Sequence, residues 1–177
     1  MYQTLRRWEI SGFLLTAVAG PLLHFTYAWS GENRIVAAFS AVNESTWEHM
    51  KLLFVPVFLF SLLEMAALAQ RYRNLLAAKL SATLLGLVVI PVLFYTYTGV
   101  WGQGSTLMDI AIFYIAAALV YWFSYRLLQG GKLSGGVLQI ISLLVLWSIA
   151  FLMVYFTYAP PHIALFRDPV TGFFGLP

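Results

Sequence analysis

The stretch Asn43-Glu44-Ser45-Thr46-Trp47-Glu48-His49-Met50-Lys51-Leu52-Leu53-Phe54-Val55-Pro56-Val57-Phe58-Leu59-Phe60 decides how the chain is read. It begins with two carboxylates, an imidazole, an ammonium and an indole, then turns predominantly apolar to about Gln70, with Glu64 the one charge in that run. Asn43 or Ser45 is a suitable N-cap, and Glu44 and Glu48 fall in the first turns, where carboxylates meet the positive end of a helix dipole. About 20 apolar residues span a bilayer as a helix. The stretch therefore predicts a transmembrane helix over about 44–70 that opens on a charged cluster.

Working outward, four more segments read the same way, over about 8–29, 75–98, 106–128 and 137–158. The first has Arg6-Arg7 before it and Ala17-Val18-Ala19 within it, which imitates a secretory signal. Its apolar character continues to Trp29, so it reads as a span. Between the first two spans, the patch Ile35–Phe39 reads as a segment on the membrane surface. Composition agrees with membrane insertion. The 177 residues are 61% hydrophobic and only 10% charged, and mean hydropathy is +0.82. Soluble domains carry about 25% charged residues. The fold class expected is all-α, a polytopic bundle of five transmembrane helices forming a single integral membrane domain over 1–177, with a tail over 159–177.

The net charge of +3 is a matter of topology, not of nucleic-acid binding, because the basic residues sit at helix ends. Arg6, Arg7, Arg71, Arg73, Lys79, Arg126 and Lys132 collect on one side, and Arg34, Lys51 and Arg167 on the other. Seven against three predicts a cytoplasmic N-terminus and an external C-terminus. The partner implied is the lipid bilayer, with a lipid or small polar ligand at the outer face. No motif specifies oligomerisation. The absence of cysteine excludes disulfides and thiolate ligands.

On this topology the polar residues converge on the outer side. His24, His49 and His162 lie there, with Glu32, Glu44, Glu48, Asp109 and Asp168, whereas Glu9 and Glu64 lie toward the inner side. Ionisable groups in membrane helices are costly and mark cavities, partners or substrate paths. At about 100° per residue, Glu44, Trp47, Glu48 and Lys51 share one helix face. A Glu48–Lys51 pair is therefore expected. Glu64 is expected to pair with Arg71 or Lys79, and Trp8, Trp29, Trp47 and Trp101 to anchor at the interfaces.

The residues leave three uses open. The first is a divalent-metal site, zinc by ligand type, with His24, His49 and His162 as ligands and Glu48 as ligand or general base. Lys51 is the accompanying catalytic candidate, with neutralisation of Glu48 or snorkelling as its plainer role. Asn43, Glu44, Tyr95, Tyr97, Asp109 and Asp168 would complete a ligand-binding pocket, and the reaction would be hydrolysis of a lipid or envelope substrate. The second use is a non-enzymatic solute-binding or permeation module. The third is a buried ion-pair network that fixes packing or partner choice. Neither H-E-x-x-H nor its inverted form is present, and the glycine-rich Gly99–Ser105 loop has no strand before it and no lysine after it, so it is not a phosphate loop.

The run Val42-Asn43-Glu44-Ser45-Thr46-Trp47-Glu48-His49-Met50-Lys51 resembles the hallmark of a family of small bacterial membrane proteins of unknown function. His24-Phe25-x-Tyr27-x-Trp29 and the tail Pro160-Pro161-His162 through Asp168-Pro169-x-Thr171-Gly172 are similar to it as well. The resemblance implies a multi-pass bacterial plasma-membrane protein and no particular activity.

Overall fold

The computed structural model describes residues 2–176. Helix α1 runs Tyr2–Trp29, the single-turn α2 Arg34–Ala37, α3 Thr46–Leu68, α4 Leu75–Trp101, α5 Thr106–Gly130 and α6 Gly136–Tyr158. A 3-10 turn, Ala164–Phe166, interrupts the tail. No strand forms among the described residues beyond one isolated bridge between Arg167 and Phe174. Five of the helices are long and apolar enough to cross a membrane. Pro21, Pro56 and Pro91 lie inside α1, α3 and α4, as membrane helices permit when neighbours compensate the lost backbone bond.

The arrangement follows from which helices have apolar surface to bury. Helix α3 is the centre, packed against α1, α4, α5 and α6. Of its apolar window 67% is buried, against 17% for α6, which lies at the rim. Leu53, Phe54, Val57 and Phe60 of α3 meet Leu87 and Ile90 of α4 and Ile112, Ala116, Val120 and Tyr121 of α5 in the main core. A smaller cluster of Leu5, Leu68, Tyr72, Leu75, Ala78 and Leu128 closes the end that carries the N-terminus. Val18, Leu22, Leu144, Trp147 and Phe151 stay exposed, an apolar exterior suited to lipid. The chain is a multi-pass membrane protein.

Close helix approach depends on Gly12, Gly20 and Gly86. A Cβ on Gly86 of α4 would fall 2.4 Å from Val120 Cγ2 and 2.9 Å from Leu53 Cδ2, and one on Gly12 of α1 would fall 2.4 Å from Tyr121. Val120 is β-branched, and on a helix one χ1 rotamer is strongly preferred, so it yields only at a cost. Gly86→Leu is therefore expected to destabilise the bundle by about 1–3 kcal/mol, measured as a fall in the unfolding midpoint in mixed micelles.

Two helix ends that bear on the polar clusters, and the placement of one indole, differ from the sequence expectation. Helix α3 begins at Thr46 rather than 44, because Ser45 is an extended cap (φ −67°, ψ 152°) whose Oγ accepts from the Glu48 N–H. Glu44 thus lies in the turn before the helix and does not share its face with Glu48. Helix α4 continues to Trp101, past Gly99, and stops where Gly102 takes φ +72°. Trp47 is no interfacial anchor. It is buried, its ring 4.7 Å from Phe166 and 5.5 Å from Phe156.

Candidate functional site

At the end of the bundle away from the N-terminus, residues 30–45 fold back between α1 and α3. Ser40 fastens this segment: its Oγ accepts from Tyr27 N at 2.9 Å and donates to Leu23 O at 2.5 Å. Asn43 fastens the next part, with Oδ1 accepting from Ser45 N at 2.9 Å and Nδ2 donating to Gly175 O at 2.7 Å. Glu44 is thereby held between His24 on α1 and His49 on the first turns of α3. Its Oε2 lies 3.4 Å from His24 Nε2 and 3.6 Å from His49 Nε2. One ligand atom from each of the three residues lies within 4.8 Å of the others.

The hydrogen bonds fix which atoms face inward. His49 Nδ1 is 3.0 Å from Ser45 O. A carbonyl only accepts, so Nδ1 carries the proton and Nε2 of the neutral ring presents its lone pair to Glu44. A lone pair aimed at a carboxylate is repulsive until a second proton, a metal ion or a bridging water mediates between them. His24 beside it holds the Glu44 carboxyl below the ordinary carboxylate value of 4.5, with His49 adding to the effect and partial burial opposing it. The imidazoles are half-buried and Glu44 is exposed, so the cluster opens to solvent.

Glu48 and Lys51 form a separate, sealed unit. Lys51 Nζ is 2.6 Å from Glu48 Oε2, and it donates to Ala37 O at 2.9 Å and to Thr157 Oγ1 at 2.7 Å. Glu48 also accepts from Val42 N at 3.2 Å and lies 3.2 Å from Thr157 Oγ1. Relative exposure is 0% for Lys51 and 2% for Glu48. Every polar atom of the pair is occupied, and together they join α3, α6 and the segment after α2.

A model described as Family of unknown function (DUF6512) matches residues 1–176. The chain belongs to this family. No curated protein and no solved structure matches it.

The other residues singled out in this DUF6512 member are dispersed. His162 stacks on Phe174 in the tail, with ring centroids 4.6 Å apart, and is outside the His24–Glu44–His49 group. Asp168 organises the tail itself, accepting from Val170 N at 2.8 Å and Thr171 Oγ1 at 2.7 Å. Asp109 accepts from Tyr97 Oη at 2.5 Å, and Tyr97 Oη accepts from Ser105 N at 3.0 Å, so these two close the α4–α5 loop. Tyr95 lines a cleft of about 480 Å³ with Thr46, Arg167 and Thr171. At the opposite end Glu64 pairs with Lys79, as the sequence allowed, at 2.6 Å. Glu9 joins them at 2.9 Å, which sequence reasoning missed. The available signal was an ionisable side chain in each of three apolar spans toward one side.

Proposed function

We propose that this protein binds a divalent metal ion, zinc by ligand preference, through His24, Glu44 and His49 at one membrane face. The convergence of two imidazole Nε2 atoms on one carboxylate oxygen carries the reading. Tetrahedral zinc with bonds of about 2.0–2.2 Å sets its ligand atoms about 3.3–3.6 Å apart, and the two Glu44 separations are 3.4 and 3.6 Å. The Nδ1–H of His49 on a backbone carbonyl is the outer contact that orients metal-binding histidines. Two histidines and a glutamate leave a fourth position for water or a substrate oxygen, the ligand set of metal-assisted hydrolysis. A lipid or envelope solute at that face is the substrate class that fits. Glu48 serves packing in this reading, since its acceptor sites are taken.

The rival reading is a plain imidazolium–carboxylate pair, favoured by the same 3.4 Å contact. Cobalt(II) separates the two. Metal binding predicts visible ligand-field bands for the natural protein that His24→Ala and His49→Ala abolish. A featureless spectrum would leave the ion pair.

The site faces outward, as the seven-to-three distribution of basic residues implies. The chain has no cysteine, so single cysteines report orientation directly. Gln103→Cys lies in the exposed α4–α5 loop and Ser134→Cys in the exposed α5–α6 loop. A membrane-impermeant maleimide should label the first in intact cells and spare the second. The opposite pattern would turn the site toward the cytoplasm.

A further inference from the structure

The cluster at the other end of the bundle has a charge imbalance that its geometry does not resolve. Glu9 of α1 and Glu64 of α3 both face one cation, Lys79 of α4, at 2.9 and 2.6 Å. All three are buried, at 4%, 0% and 1% relative exposure. Among the described residues, the groups packed around them supply no second cation. From α5, Ser124 Oγ donates to Glu9 Oε1 at 2.8 Å. Tyr121 places its ring 5.4 Å from Lys79 Nζ and commits its hydroxyl to Thr16 at 2.8 Å. Arg6 stands on the rim with Tyr125, and neither makes an ion pair with the cluster among the described residues.

Two carboxylates against one ammonium leave a net negative charge in a bundle interior, where an uncompensated charge costs several kcal/mol. The hydrogen bonds locate the deficit. Glu9 Oε1 accepts from both Lys79 and Ser124, as an ionised carboxylate does. Glu64 Oε1 and Glu9 Oε2 are buried without a hydrogen-bond partner among the described residues, and Glu64 Oε2 meets Lys79 alone, at 2.6 Å. Glu9 also lines a cleft of about 450 Å³ between α1 and α5, with Arg6, Tyr121, Trp122 and Tyr125. Glu64, at 0% exposure, lies sealed in the bundle.

We propose that Glu9, Glu64 and Lys79 form a proton-binding site in the membrane-spanning bundle, which holds one exchangeable proton on its carboxylates and exchanges it with water through the α1–α5 cleft. The proton resides on Glu64, the carboxyl with no donor besides Lys79, and Glu9, which also accepts from Ser124, is its route to the cleft. The ligand is the proton itself, taken from water and returned to it, so no other co-reactant is needed. This site is independent of the metal reading at the opposite end.

The count of protonated carboxyls tests it, read at pH 7 from the carbonyl stretch in the infrared spectrum of the protein in lipid. The natural chain should show one protonated carboxyl, and its band should shift in D2O. Glu64→Gln and Glu9→Gln should each reduce the count to zero, because one carboxylate then balances Lys79. Lys79→Met should raise it to two. Glu32→Gln, on the exposed surface, should leave it at one. The Glu→Gln replacements are isosteric and decide the matter even if Lys79→Met does not fold. No protonated carboxyl in the natural chain would overturn the proposal, as would a band that survives both Gln replacements or fails to shift in D2O. A band that appears only when sodium is withdrawn would overturn it in favour of a sodium site.

Discussion

Lys51→Met is expected to destabilise the bundle by about 3–5 kcal/mol, the cost of leaving a buried carboxylate without its partner. An exposed pair would contribute only about 0–1 kcal/mol, so the magnitude separates the two settings. Lys51 has no exposed surface, and its ammonium meets Glu48, Ala37 O and Thr157. Methionine fills the stem's volume but leaves Glu48 with only Val42 N and the Thr157 hydroxyl. Adding Glu48→Gln to Lys51→Met should recover much of the loss, because the residual buried charge is gone. A double-mutant cycle on unfolding in mixed micelles measures this coupling. Additive single effects would show that the two side chains do not act as a pair.

The second large effect, on the proposed metal reading, falls on metal affinity. Removing a metal ligand in His49→Ala or His24→Ala is expected to cost more than the roughly 10–100-fold typical of an outer contact. Asn43→Ala should cost that smaller amount while leaving all three ligands in place. Asn43 touches no ligand atom. It holds the turn, accepting from Ser45 N and donating to Gly175 O, and so sets where Glu44 stands between the imidazoles. Because imidazole must be deprotonated to bind a metal, binding releases protons and weakens in acid. Competition titrations with a zinc-sensitive dye read the whole series. Equal losses for Asn43→Ala and for Asn33→Ala, which removes the N-cap of the single-turn α2, would point to general loosening of the connection instead of positioning.

The bundle was legible because crossing a bilayer demands long apolar runs, which need no knowledge of partners. The Glu48–Lys51 pair was legible for a similar reason: i,i+3 neighbours on a helix meet whatever surrounds them. Glu44 was misplaced by the same logic, since helical spacing applies only inside the helix and Ser45 caps it one residue later. The meeting of His24 with Glu44 and His49 depends on how residues 30–45 fold back onto α1, and the bonds that decide it come from Ser40 and Asn43 to distant backbone. His162 shares the same end of the molecule, but the tail turns it onto Phe174. Glu9 and Lys79 are 70 residues apart, and only the packing of α1 against α3 and α5, with α4 behind, brings them together.

The most direct test of the metal reading is the metal content of protein purified in detergent without chelator, beside His24→Ala, His49→Ala and His162→Ala. About one zinc per chain is expected, as a three-ligand site holds, lost in the first two variants and retained in His162→Ala. No stoichiometric metal in the natural protein, and none after zinc is added back, would contradict the site and leave His24, Glu44 and His49 as an ion-pair cluster.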